Sequence, residues 1–325
     1  MSNNITYSPA YTLVPTYECF NRCSYCNFRQ EPNQSSWLTL AVAEEKLQLL
    51  QNSGVREILI LSGEVHPLSP LRGQWLQRIY DLCDLALSFG FLPHTNAGIL
   101  SFSEMAKLRR INVSMGLMLE QMSLHLLTNV HKYAPSKVPA VRLQQLAWAG
   151  ELEIPFTTGL LLGIGETEMD WWESLRAIEE HQQRWGNIQE VILQPYSVGK
   201  QQQLDAPSFD LNRLPEIVCR ARAILAEDIT IQIPPNLVSE PRLLLDCLAA
   251  GAKDLGGIVP KDEVNPDYFH SDIEKLREIL ASEGWQLVPR LPVYPQYVDR
   301  LPEKLRRAVQ GMGRIEGVEV LIAKS

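Results

Sequence analysis

Cys19, Cys23 and Cys26 fall within eight residues, spaced C-x3-C-x2-C, while Cys83, Cys219 and Cys247 are far apart. Thiolates are the natural ligands of iron–sulfur clusters. Three of them on a short loop satisfy three irons of a 4Fe–4S cube and leave the fourth open to a small molecule. The competing chemistry is a structural zinc site, which takes four ligands, usually as two pairs. Here there is no second Cys pair and no His-x3–5-His partner. A secreted disulfide framework would carry its cysteines more densely. The dispersed cysteines read as packing residues: Cys83 has Leu76, Ile79 and Leu82 at helical spacing, and Cys247 has Leu243, Leu244 and Leu248.

Such a loop needs a scaffold that holds it rigidly beside other polar groups. Apolar and β-branched runs at 11–18, 57–62, 92–96, 112–119, 154–162, 190–194, 229–234 and 254–259 predict eight strands. Amphipathic stretches between them predict helices, among them 41–52, 75–88, 137–149, 170–185, 214–225 and 241–250. Strands alternating with helices imply βαβ units and a parallel sheet. The α/β class then offers a (β/α)8 TIM-type barrel or an open doubly wound sheet. Polar residues follow strand after strand: Cys19, Glu64, Asn96, Glu120, Glu166, Gln194, Asn236 and Lys261. A barrel gathers all of them on one rim, whereas an open sheet gathers only those near its switch point, so the barrel is expected. The expected organisation is an N-terminal extension over 1–10, the barrel over 11–284, and a C-terminal extension over 285–325 packed on it. Polar loops at 29–36 and 197–212 read as surface loops or a substrate lid, and the proline-rich 289–295 as an ordered crossing of the barrel.

Composition narrows the partners. The net charge is −8, and no run of Lys or Arg exceeds a pair. That leaves no basic face for nucleic acid. The strongest apolar stretch, 158–164, is far short of the roughly 20 residues that span a bilayer. Residues 1–7 are polar and lack an apolar signal core. The expectation is a cytoplasmic protein acting on a small molecule, without membrane or nucleic acid.

With the cysteine loop placed after a first strand, the sequence resembles the radical S-adenosylmethionine (SAM) superfamily. Within it, the chain looks like the CofG family of 7,8-didemethyl-8-hydroxy-5-deazariboflavin synthase subunits. The segments that carry the likeness are 7–29, 61–67 (LSGEVHP), 93–98 (PHTNAG), 114–121 (SMGLMLEQ), 155–166 (PFTTGLLLGIGE), 232–236 (QIPPN) and 254–265 (DLGGIVPKDEVN). The resemblance implies a 4Fe–4S cluster on Cys19, Cys23 and Cys26, with SAM on its open iron. It also implies a partner enzyme, CofH, that makes the substrate, and an electron donor for the cluster. The substrate would be an adduct of a tyrosine-derived 4-hydroxybenzyl fragment with 5-amino-6-ribitylaminouracil.

The same resemblance distributes roles. Tyr25 would pack near the SAM adenine. Ser62, Gly63 and Glu64 match the superfamily's Gly-Gly-Glu segment for the SAM amino group, with Ser62 in place of the first glycine. Glu120 would reach the SAM ribose or amino group, Arg142 its carboxylate, and Gly163 and Gly165 its adenine. Around the rim, His66, Asn96, Gln194, Gln232 and Asn236 are candidates for substrate, since neutral amides match a uracil and a ribityl chain. Lys261, Glu263 and His94 are candidates for acid–base work.

Overall fold

A computed structural model describes residues 3–268 and 272–312. Among the described residues nine parallel strands carry the fold: β1 (Asn4–Leu13), β2 (Glu57–Leu61), β3 (Leu92–Asn96), β4 (Ser114–Gly116), β5 (Phe156–Leu162), β6 (Ile188–Pro195), β7 (Thr230–Gln232), β8 (Asp254–Ile258) and β9 (Gln286–Pro289). The helices are α1 (Leu40–Leu50), α2 (Arg72–Ser88), α3 (Phe102–Leu108), α4 (Pro139–Glu151), α5 (Glu168–Trp185), α6 (Leu214–Ile224), α7 (Pro241–Ala249), α8 (Ile273–Ala281) and α9 (Glu303–Met312). Strands β1 to β8 pair in chain order, and β8 and β2 both pair with β1, closing an eight-stranded barrel. The expected (β/α)8 barrel is therefore the fold.

Burial explains the strand sequences. In a parallel barrel one face packs on helices and the other fills the interior, so strands read as nearly continuous apolar runs. Every residue of β5 is buried. The helices lay one apolar stripe on that surface: Trp75, Ile79, Leu82, Cys83 and Ala86 of α2 are buried. Capping fixes where helices start. Ser101 and Glu104 form a reciprocal capping box on α3, and Thr167 and Asp170 another on α5. Gly186, at φ +59°, ends α5 in the left-handed conformation that favours glycine.

The two ends of the chain depart from expectation together. β1 begins at Asn4, so residues 4–10, expected as an extension, are barrel strand. Their polar lettering is explained by the register. Asn4–Tyr7 pairs with β9, Ala10–Leu13 with β2, and Pro9, which has no N–H, accepts from Arg56 N at 2.8 Å. The extra strand β9 comes from the C-terminal segment. After it the chain crosses the N-terminal mouth of the barrel: Ser114 Oγ and Gln189 Nε2 donate to Pro292 O at 2.6 and 3.0 Å, and Gln189 Oε1 accepts from Tyr294 N at 3.2 Å. A small second core of Leu92, Val113, Leu291, Val293, Tyr297, Leu305 and Val309 seals this end. Of the expected segment 285–325, residues 313–325 lie outside the described residues. Cys83 and Cys247 are buried as expected, but Cys219 is exposed on the outer face of α6.

Candidate active site

The cysteine loop leaves the top of β1 and is pinned at its base. Cys19 N donates to Gln30 O at 3.1 Å and Gln30 N to Tyr17 O at 2.8 Å, closing residues 19–30 into a loop. Glu18 anchors the strand behind it, accepting from Ser35 N and Trp37 Nε1. The loop also leans on residues 130–133: Arg22 N donates to Tyr133 O at 2.8 Å and Ser24 N to Val130 O at 3.1 Å. From the other side the loop after β6 folds over it, Gln203 N and Leu204 N both donating to Ser24 O. The second polar loop of the sequence is thus a cover for the cysteine loop.

Cys19, Cys23 and Cys26 line a cavity of about 320 Å³ with Tyr25, Ser62, Gly63, Glu64, Asn96, Glu120, Lys137 and Arg142. Burial pushes the Cys19 thiol up to about 11 and that of Cys23 up to about 12. A coordinated metal reverses this, since a ligating thiol is held deprotonated. Among the described residues no three His, Cys, Asp or Glu side chains close on a single-ion position. The three thiols instead share one cavity and feel one another's charge. Three soft donors on a pinned loop beside such a cavity fit a cube-shaped cluster.

Opposite the thiols stand four charges. Glu64 follows β2, and its Oε1 accepts from Ser136 Oγ at 3.1 Å while its Oε2 is buried without a partner among the described residues. Gly98 makes room for its side chain and Gly63 for the Glu18 carbonyl behind it. At Gly63 a Cβ would lie 2.2 Å from Glu18 O, and at Gly98, with φ +72°, 2.1 Å from Glu64 Cδ. Glu120 sits after β4 at φ +66°, a conformation that costs a non-glycine residue energy and marks functional positions. It accepts from Lys137 Nζ. Burial alone would raise its pKa, but Lys137 and Arg142 overcome this and hold it below the ordinary carboxylate range. Arg142, on α4, is buried, 3.9 Å from both carboxylates, and donates to Ser136 O and Met118 O.

This quartet is charge-balanced and one carboxylate oxygen is unclaimed, so it suits a ligand carrying both an ammonium and a carboxylate. Lys137 is absent from the sequence candidates. It lies in the 3-10 turn Pro135–Lys137, where a helix over 137–149 was expected, and no periodicity marks it. The proline pair flanking Ser136–Lys137, Pro135 and Pro139, was the available signal for a turn. Arg72 supports the arrangement from below, donating to Val65 O at 2.6 Å and Ile99 O at 2.8 Å and pairing with Glu104, which ties the loops after β2 and β3 together.

Tyr25 lines the cavity, its hydroxyl 3.0 Å from His131 Nε2. Ser62 lines it too, with its hydroxyl already engaged by Trp75 Nε1 and Gly63 O. Gly163 and Gly165 do not line it. They shape a turn at φ +93° and +110° that wraps the Glu166 carboxylate, which accepts from Gly163 N, Ile164 N and Trp171 Nε1. Leu161, Ile192 and Tyr196 line that side of the cavity.

Below lies a second cavity of about 190 Å³, the barrel lumen, sharing Leu59, Leu61, Asn96, Met118, Ile192, Gln194, Val264 and Asn265 with the first. His94, Gln232, Asn236 and Glu263 also line it. Asn236 Nδ2 donates to Asp262 at 2.7 Å and its Oδ1 is buried without a partner among the described residues. Glu263 accepts from Tyr17 OH at 2.7 Å and from the Lys261 ammonium. Lys261 is itself exposed and lines neither cavity. His66 is likewise exposed, with Nδ1 accepting from Leu68 N and its ring edge-on to Phe20.

At the lumen floor sits a second charged group that the sequence did not announce: Glu57, Glu190, Asp254 and Arg290. Arg290 donates to both Asp254 oxygens and to Glu190. Burial pushes Glu190 up to about 8, while Arg290 holds Asp254 below its ordinary range against burial. Burial also holds His94 neutral, its pKa near 3.

The radical SAM superfamily signature matches residues 13–178. Over 94% of this chain and 90% of its own, a protein of Trichormus variabilis called 7,8-didemethyl-8-hydroxy-5-deazariboflavin synthase is 65% identical. A protein of the same name from Thermosynechococcus vestitus is 63% identical over 94% of this chain and 97% of its own. Among solved structures, the FeFe-hydrogenase maturase HydG of Carboxydothermus hydrogenoformans superposes with a TM-score of 0.74 at 17% identity, covering 95% of this chain and 77% of its own. Methylornithine synthase, PylB, gives 0.67 at 16%, covering 88% and 84%. At such identities these two structures bear on the fold alone. No described helix is long and apolar enough to cross a membrane.

Proposed function

The chain belongs to the radical SAM superfamily and, within it, to the 7,8-didemethyl-8-hydroxy-5-deazariboflavin synthases; from that premise we propose that it converts the CofH-made adduct of a 4-hydroxybenzyl fragment and 5-amino-6-ribitylaminouracil to the 8-hydroxy-5-deazaflavin chromophore. Ammonia, methionine and 5′-deoxyadenosine leave. CofH acts as the functional partner, and a separate one-electron donor serves the cluster. The observation that carries the reading is the continuity of the three-cysteine cavity with the lumen in a chain 65% identical to a named synthase.

Cys19, Cys23 and Cys26 hold the 4Fe–4S cluster. When bound, cluster and SAM together supply one-electron cleavage and a hydrogen-abstracting carbon radical. The protein's share is binding, orientation and shielding. Glu64 Oε2, buried and unclaimed, is the acceptor for the SAM ammonium. Glu120, kept ionised by Lys137 and Arg142, is the acceptor for a ribose hydroxyl. Lys137 meets the SAM carboxylate, while Arg142, already bonded to two carbonyls, positions both glutamates. Tyr25 closes the adenine side. Leu59, Leu61, Met118 and Ile192 line the passage between cofactor and lumen and keep water from the reacting centre. Asn96 and Gln194, which border both cavities, and Gln232 and Asn236 below them present amides to the substrate. Glu263 is the carboxylate placed to take a proton at the lumen mouth.

The test is anaerobic turnover of the reconstituted protein with SAM, dithionite and the CofH-made adduct, following deazaflavin fluorescence and 5′-deoxyadenosine together. Both are expected to appear. If 5′-deoxyadenosine forms without the chromophore, the substrate is wrong; if neither forms from protein shown to hold its cluster, the catalytic reading fails.

A further inference from the structure

The lumen is built in two storeys. Inward residues on a strand recur every second position, about 6.6 Å apart. On β2 they run Glu57, Leu59 and, at its end, Leu61; on β6 they run Glu190, Ile192 and Gln194. The upper storey, shared with the cofactor cavity, is an aliphatic slot of Leu59, Leu61, Met118 and Ile192. The lower storey is polar and, among the described residues, has no Phe, Tyr or Trp in its lining. Flat rings are gripped by apolar slots, and chains of hydroxyls by polar groups.

The chemistry of the floor is more specific than "polar". The floor's charged donor is consumed internally: Arg290 is spent on Asp254, Glu190 and Leu291 O, and Gln189 Nε2 on Pro292 O. Beside them stand two acceptors. His94 Nδ1 lies 2.7 Å from Ser114 Oγ, and Ser114 Oγ lies 2.6 Å from Pro292 O. A carbonyl only accepts, so the serine proton points at Pro292 and the serine lone pair takes a proton from His94 Nδ1–H. His94 Nε2 therefore carries a lone pair. It has no partner among the described residues, and it faces Gly116, where a Cβ would lie 3.0 Å away. Glu57 is similar: Oε2 accepts from Ser8 Oγ, and Oε1 has no partner among the described residues. Two acceptors facing a buried cavity call for hydroxyl donors. A uracil edge carries one N3–H between two carbonyl oxygens and could donate to only one of the two acceptors.

We propose that the floor of the lumen is the subsite for the ribityl chain of the substrate, with His94 Nε2 and Glu57 accepting from its hydroxyls while the ring system lies in the aliphatic slot above. This rests on the deazaflavin-synthase reading and adds where each half of the substrate lies. His94 is then a specificity-determining residue and not the general base that its residue type suggested.

The experiment compares two substrates in the cluster-loaded enzyme: the adduct, and an analogue in which methyl replaces ribityl. The wild type is expected to prefer the ribityl compound. His94→Leu is expected to shrink that preference by about three- to tenfold, the share of one neutral hydrogen bond, chiefly through KM. It should lower the analogue's kcat/KM by less than the adduct's, and the KM for SAM should not follow the preference. His94→Gln, which restores an acceptor, is expected to recover part of the preference, and Glu57→Gln, at the other acceptor of the floor, is expected to shrink the preference in the same way if the leucine variant does not fold. An equal preference in wild type and variants overturns the subsite while leaving the synthase reading intact. Failure of the wild type to make chromophore from the ribityl adduct overturns the reading on which the subsite rests.

Discussion

The barrel carries two buried charged quartets, one at each end of its lumen, and they differ in arithmetic. At the rim, Glu64 and Glu120 face Lys137 and Arg142, two against two. At the floor, Glu57, Glu190 and Asp254 face Arg290 alone. One guanidinium cannot hold three buried carboxylates ionised, so the floor keeps a proton, and Glu190 holds it. The rim is balanced and leaves a Glu64 oxygen unclaimed for a cationic group; the floor is short of positive charge, keeps a proton, and leaves a Glu57 oxygen for neutral hydroxyls. A balanced quartet suits a ligand that carries both charges, and a proton-holding one an uncharged chain.

The largest effect is expected beside the rim. Cys23→Ala removes a ligand from the pinned loop and should abolish both iron–sulfur absorbance and 5′-deoxyadenosine formation, read by visible spectroscopy and chromatography.

Next comes the rim quartet itself. Arg142→Leu leaves two buried carboxylates sharing one lysine and should cost about 3–5 kcal/mol, seen as a lower denaturant midpoint. If stability is unchanged, the rim and floor do not differ as described. Gly98→Ala would drive a methyl into the Glu64 carboxylate. Its expected mark is weaker SAM binding by at least about tenfold, near the 1.4 kcal/mol of a lost charged hydrogen bond, measured by calorimetry.

The floor answers to pH. Glu190 ionises near pH 8 in the folded chain and near about 4.3 unfolded. Its raised value means the stability it contributes is whole below about pH 4 and is lost as pH rises toward 8. Glu190→Gln should flatten that decline in a thermal-melt series across pH 5 to 8. His94 acts in the opposite sense: its depressed value makes its contribution present above about pH 6.5 and lost as pH falls toward 3.

The smallest effect is expected at Lys261. It is exposed, and its pair with Glu263 is worth under about 1 kcal/mol. Lys261→Ala should change turnover by no more than a few-fold, whereas Glu263→Gln should slow it further.

What the sequence disclosed follows the same division. The rim was legible because barrel geometry puts strand-end residues together, and Glu64, Asn96, Glu120 and Gln194 all arrive there. The parallel strands were legible as apolar runs. Lys137 was not, because a 3-10 turn has no period to read. Nor was the floor: Glu57 and Glu190 begin or sit inside strands where a charge looks like a surface position, and Arg290, which pairs with Glu190, comes from 100 residues further on. β9 escaped because four residues ending in proline make too short a run. Gly163, read as part of a base-binding turn, also donates its N–H to Glu166.

The crossing of residues 292–294 under the barrel gives the lumen a bottom. Among the described residues the tube then has a single mouth, and the cofactor cavity surrounds that mouth. A blind tube works as a stack: whatever lies lowest went in first and comes out last. One short peptide, at the end farthest from the cysteines, thus closes the second way in or out that an open tube would have.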